Sequence, residues 1–396
     1  MRQPWSSRPA LTPATLVLLV YTIWLAAVFA SGRDVRDFVH MGQRFAFASG
    51  APPIIARDPH YHYAVKDDGY DGQFSYYIAL APVDARLHLD RVNYRYTRIL
   101  YPMLARVMSI GRAALIPYLL IVINMLAIAA GTYILALWLG RKGLSPLFAL
   151  VYGLSPGLFI CLHRDLEEPL AYALVVLGMY LYSFGRRHRL IWSGLAFALA
   201  ALTRESTALF PIVLAVCLLF DRATRHLSLR DQVRWRLPAL FAALALGPLL
   251  VYKVSLLFWL GTSTPSIPPG LYPQIVPFGG LLADWQWNAR ILEIVAAVIV
   301  PALICAGMGI WALRRREAPP EIWLLLANVQ LFVVMLNSTN FTTIIASARV
   351  TTGVLFAALL CVPIFDRRTG HNRAWLRISI ALWFIPWPTL LPFFGG

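Results

Sequence analysis

The sequence predicts an all-α fold, a polytopic helical membrane protein of about eleven transmembrane helices whose long first outer loop carries amphipathic helices. Three observations lead there. Of 396 residues, 59% are hydrophobic and only 14% are charged, far too apolar a balance for a soluble domain of this length. Apolar runs of roughly 15 to 25 residues recur, the length a helix needs to cross about 30 Å of hydrocarbon, and they lack the alternation of a membrane barrel strand. Outside the first loop, the basic residues gather in short clusters between those runs.

The apolar runs lie at 12–30, 113–139, 145–160, 169–184, 190–203, 206–220, 238–260, 291–313, 321–336, 350–365 and 375–394. Val28–Phe29–Ala30 followed by Ser31 is a weak cleavage pattern, but the length of the first run and the loop after it favour a retained anchor. Arg141–Lys142, Arg186–Arg187–Arg189, the stretch Arg222 to Arg236, Arg314–Arg315–Arg316 and Arg367 to Arg377 fall on alternate connections. With Arg2 and Arg8 they mark one side, which the positive-inside rule makes the cytoplasm. The opposite, outer side then carries residues 31–112, the turns His163–Glu168 and Arg204–Glu205, the loop 261–290 and the segment 337–349.

The whole chain, 1–396, reads as one transmembrane domain, with 31–112 as an outer loop and no internal repeat or low-complexity tract. Within the loop, Asp37 to Ala48 and Thr97 to Met108 place apolar residues at helical spacing and are expected to lie as amphipathic helices along the membrane surface. The proline-rich stretches at 52–53 and 265–277 read as irregular connections. The net charge of +16 does not line one face of a soluble helix, which argues against a nucleic-acid partner. Cys161, Cys217, Cys305 and Cys361 are widely spaced, without a CxxC pair, and read as packing residues.

Eight of the 19 acidic residues fall between Gly32 and Arg112, and all eight are Asp. Carboxylates gathered at a membrane face suit a general base that accepts a hydroxyl proton, or oxygen ligands for a divalent cation. Asp34, Asp37, Asp67, Asp68 and Asp71 are the candidates; solvated loop charge is the plain alternative for Asp34, Asp67 and Asp68, and helix N-capping is the alternative for Asp71. Arg204–Glu205, between two apolar runs, can grip a phosphate or form a charged interfacial turn. In His163–Arg164–Asp165–Leu166–Glu167–Glu168–Pro169, the acids either complement a helix dipole or serve the site. Lys253, Glu293 and Arg349 stand near the outer ends of apolar runs, where snorkelling suffices for Lys253.

Tyr70–Asp71, Tyr77–Ile78–Ala79, Leu100–Tyr101–Pro102, Ser155–Pro156 with Glu168, and Leu202–Thr203–Arg204 occur in an order that resembles the GT-C superfamily of polytopic glycosyltransferases. The nearest pattern is that of the second GPI mannosyltransferase and its bacterial relatives. The resemblance covers roughly Tyr70 to Phe210 and departs from the family at Gly72–Gln73. It implies transfer of a sugar from a polyprenyl-phosphate donor to a glycan or lipid acceptor of the cell envelope. Asp71 is then the expected base, with Asp37 and Asp34 as the alternatives that other GT-C enzymes favour. Arg204, Arg349 and Arg98 are the expected phosphate contacts. Glu205, Glu168, Asp165, Gln73 and Tyr77 are the expected substrate contacts. No metal is obligatory when the leaving group is already a phosphate, although Asp67 and Asp68 could bind a divalent cation. A transporter or flippase, and a non-catalytic subunit of envelope polymer assembly, are the rival readings.

Overall fold

The computed structural model describes residues 8–390 apart from 65–67, 186–187, 221–234, 262–273, 284, 286–287, 317 and 367–369. Asp67, Arg186–Arg187, Arg367 and most of the 222–236 and 265–277 stretches therefore lie outside the described residues. Every regular element among the described residues is helical, apart from two isolated bridges, Met41 with Gly69 and Gly42 with Ala64.

The first helix, α1 (Arg8–Ala30), contains no charge after Arg8, so nothing interrupts its apolar surface. It stops where Gly32 turns into the left-handed region at φ +84°, a conformation glycine adopts without a Cβ clash. Asp34 then caps a tight turn at Val35–Phe38: its side chain accepts from the Arg36 N–H, and Asp37 accepts from the Asp34 N–H.

Residues 31–112 are not a tether. They contain α2 (Gly72–Leu80), α3 (Val92–Tyr96) and α4 (Leu100–Met108), and they close around a core of their own that includes Val39, Phe74, Tyr77, Tyr96 and Tyr101. Polar ties reinforce it: the His88 ring nitrogens reach the carbonyls of Phe45 and Pro52 at 2.8 and 3.0 Å. Arg106 donates to the Ala79 and Leu80 carbonyls at 2.8 and 2.6 Å, closing the C-terminus of α2. The helix expected over Thr97–Met108 forms as α4, beginning at Leu100. The one expected over Asp37–Ala48 does not form as a unit. His40 sits at φ +51°, and Met41 and Gly42 bridge to Gly69 and Ala64, which leaves one turn at Val35–Phe38 and another at Gln43–Ala46.

Next, α5 (Ile116–Arg141) packs along α1. Pro146–Gly153 and α6 (Pro156–His163) meet at a 47° bend, because the residue before Pro156 is driven out of helical geometry. The bundle continues with α7 (Glu168–Phe184), α8 (Arg189–Thr203), α9 (Leu209–Phe220) and α10 (Arg236–Leu260). It closes with α11 (Ala289–Arg314), α12 (Pro320–Val334), α13 (Ile344–Val350), α14 (Thr352–Asp366) and α15 (Gly370–Trp383).

By length and composition, four helices can cross a bilayer: Pro9–Ala30, Ala113–Arg141, Arg236–Leu260 and Ala289–Arg314. The number rises to six if each bent pair, ending at His163 and at Asp366, is one span. The apolar helices α7, α8, α9 and α12 are shorter, at 10–17 residues. The protein is thus helical, with several apolar helices able to span a membrane. Its burial pattern agrees: Asn124, Thr132 and Asn328 are fully enclosed, whereas Ile23, Val251 and Phe258 are 60, 71 and 88% exposed.

Gly72 begins α2 directly against the turn after α6; a Cβ there would stand 2.1 Å from the Arg164 carbonyl oxygen, with backbone on both sides. Gly72→Ala should therefore cost about 1–3 kcal/mol by overpacking, read as a lowered thermal transition of the purified protein. Gly307→Ala is the control, since nothing lies within 4 Å of its added Cβ. Equal transitions for Gly72→Ala and the parent would refute this packing.

Candidate active site

Asp71 stands immediately before α2, and its neighbours come from distant parts of the chain. Arg95 donates to Asp71 Oδ1 at 2.8 Å and Arg349 donates to Oδ2 at 3.0 Å. No capping hydrogen bond is made by the Asp71 side chain, so the N-cap alternative is overturned: the arginines have taken both oxygens. Arg95 also grips both oxygens of Asp90, at 2.7 and 2.8 Å, and its guanidinium lies 4.2 Å from the Phe74 ring centre.

From Arg349 the contacts run inward. Its Nε is 3.0 Å from Glu168 Oε1, and Arg204 Nη1 is 2.7 Å from the same oxygen and 2.9 Å from Glu167 Oε1. Glu167 is shared with Arg98, which also holds both oxygens of Glu205, at 3.0 and 2.9 Å, and donates to the Tyr94 hydroxyl. Asp90, Arg95, Asp71, Arg349, Glu168, Arg204, Glu167, Arg98 and Glu205 therefore form one alternating chain of charges. The sequence neighbours Arg204 and Glu205 point to different partners, so the simple charged-turn reading of that pair fails.

This chain forms one side of a cavity of about 500 Å³. Tyr70, Asp71 and Glu205 line it with Arg91, Arg95, Arg98, Arg204, Lys253 and Arg349: six cationic side chains against two carboxylates. Asn337 and Asn340 complete its polar rim, and Phe332, Met335 and Leu336 form an apolar wall. Among the described residues, Arg91 and Lys253 have no carboxylate partner, which leaves them available to an anion entering the cavity. Lys253 thus faces a site, where snorkelling alone had been expected.

The electrostatics follow from that geometry. Burial disfavours charge on Asp71, but Arg95 and Arg349 outweigh it and hold the carboxyl well below the usual carboxylate range. With its side chain 27% exposed at the cavity wall, Asp71 is ionised and accessible.

Other sequence candidates are placed elsewhere. Asp34 and Asp37 stabilise the turn after α1 and touch neither Arg204 nor Arg349; Asp34 instead pairs with Arg36 at 2.6 Å and lines a separate cavity. Gln73 and Tyr77 are enclosed in the loop's core: Gln73 accepts from the Gly42 N–H at 3.0 Å and donates to the Asp68 carbonyl at 2.7 Å, and Tyr77 is 0% exposed. Asp165 is fully buried with neither carboxyl oxygen hydrogen-bonded, burial pushes its pKa well above the ordinary value, and it does not line the cavity. Glu168 lies behind Arg204 and Arg349, where it orders them instead of facing the cavity. Asp68 pairs with Arg44 at 2.8 Å on an exposed surface, and no group of three metal-ligating side chains occurs among the described residues.

Arg91, Arg95 and Tyr94 are not among the residues the sequence points to, whereas Glu167 belongs to the acidic segment before Pro169 that it does. Arg91, Arg95 and Arg98 recur at spacings of four and three, the signature of one helical face, and that signal was present.

The depressed Asp71 pKa carries a sign. The folded carboxyl remains charged where the unfolded one, near pH 4, begins to take a proton. Its stabilising contribution is therefore complete above that pH and is lost as pH falls toward the folded value. Asp71→Asn should lower the thermal transition at pH 7, and the gap to the parent should narrow below about pH 4. A gap that stays constant between pH 7 and 3 would contradict the ion pairs.

No protein-family model, no curated protein and no solved structure matches this chain.

Proposed function

We propose that the protein is a membrane glycosyltransferase of GT-C type, transferring a sugar with inversion from a polyprenyl-phosphate donor to a glycan or lipid acceptor of the cell envelope. The single observation that carries this reading is the cavity in which an ionised, accessible carboxylate faces a surplus of cations. A lipid phosphate is an anion that arrives from the membrane, and hydroxyl attack on a sugar needs a proton acceptor; the cavity offers groups for each requirement.

In this mechanism Arg91 and Lys253 receive the donor phosphate, and Arg349 and Arg204 complete its neutralisation. The acceptor oxygen forms a bond to the anomeric carbon as the carbon–oxygen bond to phosphate breaks. The bonding pair leaves with the polyprenyl phosphate, and the hydroxyl proton passes to Asp71. Arg349 is the link between the two halves: each hydrogen bond it transfers to the phosphate is withdrawn from Asp71, which raises the basicity of that carboxylate when donor is bound.

The topology belongs to the same proposal: about eleven spans, a cytoplasmic N-terminus and a cavity facing the periplasm of a bacterial inner membrane. Arg141 and Arg314 to Arg316 support it, because they gather at the C-terminal ends of α5 and α11 and none of them lines the cavity.

Sugar transfer by the purified protein from synthetic polyprenyl-phosphate sugars provides the test. Asp71→Asn should lower kcat by about 10²–10⁴-fold with donor affinity retained, whereas Arg91→Gln with Lys253→Gln should chiefly raise KM for donor. Full activity in Asp71→Asn would eliminate it as the base. A parent protein inactive with every donor would favour the transport or assembly readings.

A further inference from the structure

A second, larger cavity of about 1020 Å³ opens between the outer end of α1, the start of α5 and residues 54–59. It shares α2 with the first site: Asp71 precedes that helix in one cavity, while Tyr76 and Leu80 wall the other. It belongs to none of the steps derived above. Its chemistry divides sharply. Phe29 and Tyr118, 39 and 52% exposed on the two long apolar helices, stand at its lateral edge, where aromatic rings mark the boundary between hydrocarbon and head groups. Arg33, Arg36 and Arg57 line the polar part.

The three arginines are not equivalent. Arg36 is already matched by Asp34 and Asp58, at 2.6 and 2.7 Å. Arg33 interacts electrostatically with Asp37 without forming an ion pair, and Arg57 has no carboxylate partner among the described residues; the Phe47 ring lies 5.0 Å from the Arg57 guanidinium carbon. Two guanidinium groups outside any ion pair, beside the exposed apolar surface of two helices long enough to span a bilayer, complement an amphiphile with an anionic head.

We infer that this cavity seats an anionic phospholipid of the surrounding leaflet, its head group between Arg33 and Arg57 and its chains running past Phe29 and Tyr118. The inference stands apart from sugar transfer, since no residue in it contacts Asp71 or the arginines around it.

The test is thermal stability and native mass spectrometry of the purified protein in neutral detergent, titrated with phosphatidylglycerol, phosphatidylcholine or inorganic phosphate. Phosphatidylglycerol should remain bound and raise the transition, and the other two should not. Arg33→Gln combined with Arg57→Gln should weaken the phosphatidylglycerol response at least tenfold while leaving the lipid-free transition in place. Arg91→Gln combined with Lys253→Gln should leave that response intact, which separates this seat from the first cavity. An unchanged response in the Arg33/Arg57 variant would overturn the assignment. So would loss of the response in the Arg91/Lys253 variant, or a response to inorganic phosphate equal to that of the lipid. Sugar transfer can fail entirely without affecting any of these readings.

Discussion

The structure depends on the alternating chain of charge from Asp90 to Glu205. Four guanidinium groups at the edge of an apolar bundle would each incur a desolvation penalty of several kcal/mol if unmatched. Here every one is shared between carboxylates, and Glu167 and Glu168 are each shared between two arginines. Removing one member would leave its neighbours charged and buried, so the interaction acts as a unit. It also joins segments far apart in sequence, with Arg349 reaching Asp71 across 278 positions. The loop is thereby fastened to the bundle through electrostatics as well as through its apolar core.

That arrangement constrains the chemistry. Charges already neutralised within the protein offer limited attraction to a ligand, which is why Arg98 and Arg204 are better understood as structure that a phosphate can borrow from. Arg91 and Lys253 are the cations without an ion pair among the described residues, and they come from different elements, the N-cap of the short helix after Asp90 and the C-terminal half of α10. Asp71, held strongly ionised by two arginines, is a poor proton acceptor at rest and becomes a better one only as those hydrogen bonds are redistributed.

The all-helical class, with several helices apolar enough to span a membrane, was legible because it follows from composition and run length, which are local properties. Arg204, Arg349, Arg98 and Asp71 could be selected because charge next to apolar sequence is costly and therefore informative. Which of them meet was not legible: Arg204 pairs with Glu167 and Glu168, not with adjacent Glu205, and that outcome depends on where α6 turns into α7. Gln73 and Tyr77 misled for a related reason. They flank Asp71 on a short helix, but the loop has a core of its own, and a nine-residue helix enclosed on most sides must point much of its side-chain surface inward. The break in the Asp37–Ala48 pattern shows the limit of periodicity, since a backbone bridge between Gly42 and Ala64 overrode an apolar spacing suited to a helix.

The same α2 that defeated the local reading sets how the two cavities can relate. At about 1.5 Å per residue, its nine residues separate Asp71 from Leu80 by about 13 to 14 Å, and both ends are fixed. Gly72 is seated on the Arg164 backbone at one end, and Arg106 holds the carbonyls of Ala79 and Leu80 at the other. A helix clamped in this way moves as a rigid body or not at all. Pressure on Tyr76 and Leu80 would therefore reach Asp71 as a displacement of the whole helix, opposed by two ion pairs and a backbone contact. The stiffness keeps the carboxylate in register with Arg95 and Arg349 whatever occupies the cavity beside α1 and α5.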